Sequence, residues 1–318
     1  MVRPYAGRMT APLALAVDFG GTKVEAALVD DGGRLVPGSR ARRGTGPDAA
    51  SEALDRAVAD VVRHALRAMP EQTAPVGVGI GSAGPVDLAA GTVSPLNVPA
   101  WRRHPLVDRV ARLVPDAPVT LALDGLCIAL AEHWVGAGRG ARNLLGMVVS
   151  TGVGGGLVLD GRPAPGPTGN AGHIGHVEVG GADDPCACGG SGCLEAVASG
   201  PGTVRWARAH GFTGTTGHDL ARAHAAGDPI ALAAVDRAGT AIGRAIASAA
   251  GLVDLDVAAV GGGFSRVSPA LLEAARAALA RRSAFDFVRR TRIAPSGLSD
   301  EGPLIGAAAL VHLARRSD

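Results

Sequence analysis

His176, Cys186, Cys188 and Cys193 fall in the pattern H-x9-C-x-C-x4-C, which holds three of the chain's four cysteines. One imidazole and three thiolates fill the tetrahedral shell of Zn²⁺ and leave no open position for a reactive water, so a metal held this way is structural. Gly189, Gly190 and Gly192 let a short loop wrap around an ion without steric cost. Three clustered cysteines cannot all pair, which disfavours a disulfide framework. A reduced loop without metal is the alternative. A metal here would pin a loop whose flanks, His173 and Glu195, are then free to face a substrate.

A second kind of chemistry is written in glycine turns. Asp18-Phe19-Gly20-Gly21-Thr22-Lys23 follows a short apolar run. Bare glycine backbone lets N–H groups approach and cradle phosphate oxygens. An acid at the strand end can hold Mg²⁺ through water, and Thr22 can donate to phosphate. Ser150-Thr151-Gly152-Val153-Gly154-Gly155-Gly156 reads as the same device, and Gly261-Gly262-Gly263 offers bare backbone to a flat nucleobase or ribose. Each turn alone reads equally as a plain hairpin; three at three strand ends point to a nucleotide grip. Asp124 joins an apolar strand to a helix, where it is either a helix cap or a carboxylate at the mouth of a sheet. Phosphoryl transfer from ATP to a hydroxyl needs one carboxylate to take the proton.

The elements that must position these groups alternate. Apolar runs predict strands over 13–17, 24–29, 34–40, 76–80, 119–123, 144–149, 157–159, 257–260 and 288–293. Helical spacing covers 49–69, 126–135, 201–210, 218–226, 229–252, 270–281 and 303–315, the last with Pro303 in its first turn. Residues 1–12 read as a loose arm, and 95–101 as irregular and rigid. Strand, small-residue turn and return strand occur twice, a weak internal duplication. Strands alternating with helices indicate α/β lobes with mixed sheets.

The bulk numbers exclude several classes. With 318 residues and 47% hydrophobic content, the chain suits two lobes of ordinary size. Net charge is +2, too balanced for a nucleic-acid surface. Lys23 is the only lysine, which a coding bias towards arginine explains. No apolar run is long enough to span a bilayer. The opening residues lack the apolar core of an export signal, so the expected location is the cytoplasm.

Together Asp18–Lys23, Ser150–Gly156, Gly172-His173-Ile174-Gly175-His176, the Cys-x-Cys-Gly-x-x-Gly-Cys-x-Glu run and Gly261–Gly263 resemble the ROK family of repressors and sugar kinases. The resemblance covers nearly the whole chain after residue 12. It implies an α/β, two-lobed actin-like ATPase (ribonuclease H-like) fold with a structural zinc loop. Residues 1–122 would form a small lobe, joined by the C-terminal helix 303–318, and 123–302 a large one. It further implies ATP, Mg²⁺ and structural Zn²⁺, a small sugar as substrate, no nucleic acid or membrane partner, and a homodimer or homotetramer. By motif, Asp124 resembles the catalytic base. Asp18, Gly20, Gly21, Thr22, Lys23, Thr151, Gly152 and Gly261–Gly263 resemble the nucleotide site. Ala83, Gly84, Asn97, His173, His176 and Glu195 resemble the sugar site, His176 serving zinc as well.

Two positions depart from the family pattern. Leu123 stands where the family usually has an asparagine that bonds ring hydroxyls, and a hydrogen bond lost in a closed polar site costs about 1–3 kcal/mol. His173 stands where glucokinases of the family usually have glutamate, and is similar to N-acetylmannosamine kinases. A neutral imidazole donates one bond and accepts one, whereas glutamate only accepts; a purely structural histidine is the other reading. Glucose is the first expected substrate, with N-acetylmannosamine or an unusual sugar or cyclitol as alternative. A sugar-responsive regulator is a further reading, disfavoured because only about a dozen residues precede the first glycine turn, too few for a domain. Glu132 and His133 read as surface or packing groups, Asp183-Asp184 as a solvated turn and Cys127 as a buried packing residue.

Overall fold

The computed structural model describes residues 11–282, 284–298 and 300–316. The loose arm expected at the start lies, through residue 10, outside the described residues. The chain divides into two compact units: residues 1–135, 165–171 and 299–318, and residues 136–164 and 172–298. The division falls after Val135 rather than after residue 122, because the helix that begins at Asp124 packs within the first unit.

In the first unit, strands β1 (Leu13–Phe19), β2 (Lys23–Asp30), β3 (Ala41–Gly44), β4 (Val78–Ser82) and β7 (Val119–Leu123) form a sheet in the order β3-β2-β1-β4-β7. A two-stranded flap, β5 (Val86–Asp87) and β6 (Thr92–Val93), stands apart from it. β1 is central and buried from Ala14 to Phe19, as a continuous apolar run requires. The tight turn after it makes β1 and β2 antiparallel, whereas crossovers through α1 (Ser51–Leu66) and α2 (Leu106–Ala111) make β1, β4 and β7 parallel. The third strand lies past the expected 34–40. Asp30 Oδ1 accepts the N–H groups of Gly32 and Arg34, and Gly33 and Gly38 take positive φ, so 31–40 is spent on turns. Helix α3 (Asp124–Trp134) starts two residues before the expected position. It crosses the C-terminal helix α10 (Gly302–Ala314) backbone to backbone: a Cβ at Gly306 would lie 1.7 Å from Cys127 O. Glu132 is buried on α3 rather than exposed.

In the second unit, β8 (Leu144–Val149), β9 (Val153–Leu159), β10 (Arg162–Pro163), β11 (Val257–Gly261) and β12 (Arg292–Pro295) take the order β10-β9-β8-β11-β12. β8 and β9 are antiparallel, and β8, β11 and β12 parallel. The duplication expected from the turns is therefore present as topology: each sheet is an antiparallel hairpin extended by two parallel strands. Helices α4 (Leu194–Ala198), α5 (Gly200–Ala209), α6 (Gly217–Ala225), α7 (Pro229–Val253) and α8 (Pro269–Arg282) build the core with the sheet. Asp228 caps α7 by accepting the N–H groups of Ile230 and Ala231. The strand expected over 288–293 is instead a short helix, α9 (Asp286–Arg289), followed by β12. Among the described residues no helix is long and apolar enough to cross a membrane.

Candidate active site and metal loop

The first unit gathers ionisable groups at the ends of its parallel strands. The register sets Asp18 of β1 opposite Gly81 of β4, and Ser82 opposite Leu123, so Asp18 and Asp124 flank the end of β4. Asp124 is not a helix cap. It is the first residue of α3, and its Oδ1 accepts the N–H of Gly125 at 2.7 Å. Burial pushes the Asp124 carboxyl up to about 6, against that one main-chain donor. Burial pushes Asp18 up to about 7, helped by the charge of Asp124 and opposed by Lys23. Cys127 is fully buried beside both acids, and burial first, then their charges, raise its thiol well above the ordinary value. A Cβ at Gly81 would meet Cys127 Sγ at 3.0 Å, so this glycine leaves room for the cluster.

The turn after β1 is a short bend in which Gly20 N donates to Lys23 O at 2.8 Å. Thr45 ties it down by donating its hydroxyl to Gly20 O and its N–H to Thr22 O. Thr22 is exposed. Lys23 is drawn away from the turn by an ion pair to Glu25, which is buried and also holds Arg40 and Arg42. Asn97 is exposed and packs its Cβ against Gly21. Ala83 N donates to Phe19 O, and Gly84 O accepts from Leu96 N, which binds the 83–84 turn to both β1 and the Asn97 segment. That segment is anchored by Trp101, fully buried and stacked between Phe19 and His104 at 4.2 and 3.9 Å. Leu123 is 2% exposed. Its side chain is core, so the hydrogen bond the family's asparagine would make has no replacement from this residue.

The second unit gathers uncharged main chain instead. Ser150 N donates to Gly152 O, closing the turn after β8. Only residues 150–152 form that turn; Gly154, Gly155 and Gly156 belong to β9. Gly155 is small for a packing reason, since a Cβ there would lie 2.8 Å from both Gly146 O and Ile174 Cγ2. Gly262 sits at φ +97° with its Cα position against the end of β8, where a Cβ would lie 2.4 Å from Val149 O. Gly263 faces Ser150 Oγ. The turns at 150–152 and 261–263 are therefore neighbours at one sheet edge.

Glu195, the second residue of α4, reaches that edge. Its Oε2 accepts the N–H of Val153 at 2.9 Å, and a Cβ at Gly152 would lie 2.6 Å from it. His173 and His176 lie with ring centroids 5.8 Å apart, and burial, then His176, hold His173 below its ordinary value while Glu195 opposes them. The four residues of the metal pattern converge: their ligand atoms all lie within 4.8 Å of one another. Cys186 Sγ lies 3.7 Å from His176 Nδ1, and Cys188 Sγ 3.7 Å from Cys193 Sγ. A tetrahedron with metal–sulfur bonds of about 2.3 Å has edges of about 3.8 Å, so the donor set fits a zinc ion. The loop holds this shape through Cys186 N to Gly190 O and Gly189 N to Cys186 O, with Gly189 at φ +93°. Asp184 is not solvated: it pairs with Arg237 of α7.

Sequence reading missed Glu25 and Arg237. Neither sits in a motif; only the cross-strand register of Asp18 with Glu25, and the return of α7 under the metal loop, brings them in.

Comparison with known proteins bears on this arrangement. The ROK family's sequence profile matches residues 14–314. The chain is 31% identical to a glucokinase of Thermotoga maritima over 93% of this chain and 96% of that one. It is 33% identical to a kanosamine kinase of Amycolatopsis mediterranei over 96% and 98%. Its fold matches a ROK family glucokinase from Streptomyces griseus, solved in complex with glucose and AMPPNP, with a TM-score of 0.77 and 30% identity over 94% and 98% of the two chains.

Proposed function

The chain belongs to the ROK family, and from that premise we infer that it is an ATP-dependent sugar kinase whose base is Asp124. One observation carries the assignment of the base. Asp124 is a half-buried carboxylate at a strand-to-helix junction, raised to about 6 and placed beside Asp18 in the unit that holds the Gly20–Thr22 turn. Above that pH it is ionised and can accept the proton of a sugar hydroxyl, for which we propose the 6-OH. The hydroxyl oxygen attacks the γ-phosphorus of ATP, the bond to the β-phosphate oxygen breaks, and ADP leaves with the electron pair.

Main-chain N–H groups at Gly21–Thr22 and at Thr151–Gly152 are proposed to hold the phosphates, with Gly20, whose N–H closes the turn on Lys23 O, shaping the first of them and Gly261–Gly263 as bare backbone for the nucleoside. Asp18 suits a divalent cation, since its buried carboxylate is pushed to about 7 by burial and by Asp124. Mg²⁺ there would neutralise charge on the transferring group. Lys23 serves through Glu25, which it already pairs with, rather than as a free phosphate ligand. Ala83, Gly84 and Asn97 in the first unit, and His173, His176 and Glu195 in the second, are the proposed sugar contacts. Zinc on His176, Cys186, Cys188 and Cys193 would hold that loop in shape. We place the protein in the cytoplasm as a homo-oligomer.

The named relatives act on more than one sugar, glucose in one case and kanosamine in another. Glucose is the first candidate; N-acetylmannosamine is second, since its acetyl carbonyl accepts a hydrogen bond that His173 can donate where glutamate cannot. An ADP-release assay across glucose, mannose, fructose, N-acetylglucosamine, N-acetylmannosamine and kanosamine tests the reading. One of these should raise ATP turnover at least about a hundredfold over the water reaction. ADP release that no sugar stimulates would sink it.

A further inference from the structure

Two adjoining cavities of about 330 and about 200 Å³ lie wholly within the second unit, away from the sheet edge described above. They share Val179, Gly180, Gly181 and Arg244, and run between the segment that leads into the metal loop and one face of α7. The larger is within the usual range of small-ligand sites, about 300–1,000 Å³. Three arginines line them: Arg237, Arg244 and Arg282.

Arg237 is the informative one. Its Nη2 pairs with Asp184, and its guanidinium lies over the Trp206 ring at 5.4 Å. Its Nη1 is buried without a hydrogen-bond partner. A buried, charged donor left unmatched is costly; Nη1 is closed to solvent in this structure, so a ligand acceptor meets it only when the side chain shifts toward the groove. Arg244 approaches from the next turns of α7 and is exposed, its Nη1 donating to Gly180 O. The walls also carry acceptors and hydroxyls, Glu178, Asp236, Thr240 and Ser248. Arg244, which lines both cavities, and Arg237 beside it in the smaller one offer cations for a phosphate, and the acids and hydroxyls in the same walls suit a ligand that also carries hydroxyls.

We propose that this groove is a second ligand site, which takes a phosphorylated sugar with its phosphate on Arg237 and Arg244. The phosphate subsite stands independently of the kinase reading; the choice of a sugar as the phosphate's carrier rests on it. Asp184, the partner of Arg237, also accepts the N–H of Gly192 and lies two residues before Cys186. Occupancy at Arg237 is thus one side chain away from the metal loop.

The test is calorimetric titration of the full chain with inorganic phosphate, glucose, and glucose 6-phosphate, all in the presence of a saturating non-hydrolysable ATP analogue. The expected result is a glucose 6-phosphate event that saturating glucose does not displace, that Asp124→Asn leaves unchanged and that Arg244→Gln weakens about tenfold or more. Arg237→Gln should weaken it further; Arg244 is the control against misfolding, because its side chain is exposed. Binding of inorganic phosphate with the same dependence on Arg244, but no gain from the sugar, would overturn the sugar and keep the anion subsite. Titration unaffected by either arginine, or lost in Asp124→Asn, would overturn the site. A failed ADP-release assay leaves these outcomes readable, since none of them uses turnover.

Discussion

The two sheets share one strand order and differ in what their edges carry. The first ends β1 with Asp18 and follows β7 with Asp124, two carboxylates that burial raises to about 7 and about 6. The second ends β8, β11 and β12 in serine, threonine and glycine: Ser150-Thr151-Gly152, Gly261–Gly263 and Ser296. At that edge Glu195 arrives from α4, behind the candidate metal loop, and is met by the Val153 N–H. The same topology thus supports opposite electrostatics. A strand-end acid is raised only where the surrounding elements strip it of water, and in the first unit α3 and α10 close in by backbone-to-backbone contact at Gly306.

The largest effect expected from this contrast is kinetic. Asp124→Asn removes the proposed base and should lower kcat about 10²- to 10⁴-fold while leaving sugar and nucleotide dissociation constants within a few-fold. A loss under tenfold would move the base elsewhere. In the wild-type chain, activity should fall as pH drops through about 6 to 7, where Asp124 and Asp18 take up protons.

Next is a stability effect confined to the first unit. The folded chain holds a proton on Asp18 up to about pH 7, whereas the unfolded chain releases it near the ordinary value of 3.8. The contribution of Asp18 to stability is therefore complete below about pH 4 and is lost as pH rises through about 7. Asp18→Asn should stabilise the chain at pH 8 by on the order of a few kcal/mol, seen as a higher melting temperature, and leave the melting temperature nearly unchanged at pH 4. An equal shift at both pH values would mean that packing rather than charge is responsible.

The smallest is steric and belongs to the second unit. Gly262→Ala forces a side chain into positive φ and against Val149 O, so denaturant unfolding should show a loss of about 2–4 kcal/mol, without any pH dependence. A loss below about 0.5 kcal/mol would mean that the edge of β11 is free to shift.

Legibility followed how local each cause was. The strands at 119–123 and 144–149 were readable to the residue because their apolar runs end at Asp124 and at Ser150. The third strand was misplaced because Asp30 and two positive-φ glycines use up the segment that looked extended. The glycines after Val153 looked like a turn and are strand, and the smallness of Gly155 answers to Gly146 O and to Ile174, a residue distant in sequence. Leu123 stood out as a departure from the family pattern, and only its burial shows that the side chain is core.

By itself the sequence determined which four residues could hold a metal, the order of the turns and the acid at the head of α3, because each is a matter of residue type at fixed short spacing. Only the tertiary structure decided that Asp18 and Asp124 are neighbours with raised pKa values, that Glu195 is met by a main-chain N–H, and that Arg237 stands half-matched over Trp206. Those are consequences of burial and of strand register, which join residues that no short window of sequence contains.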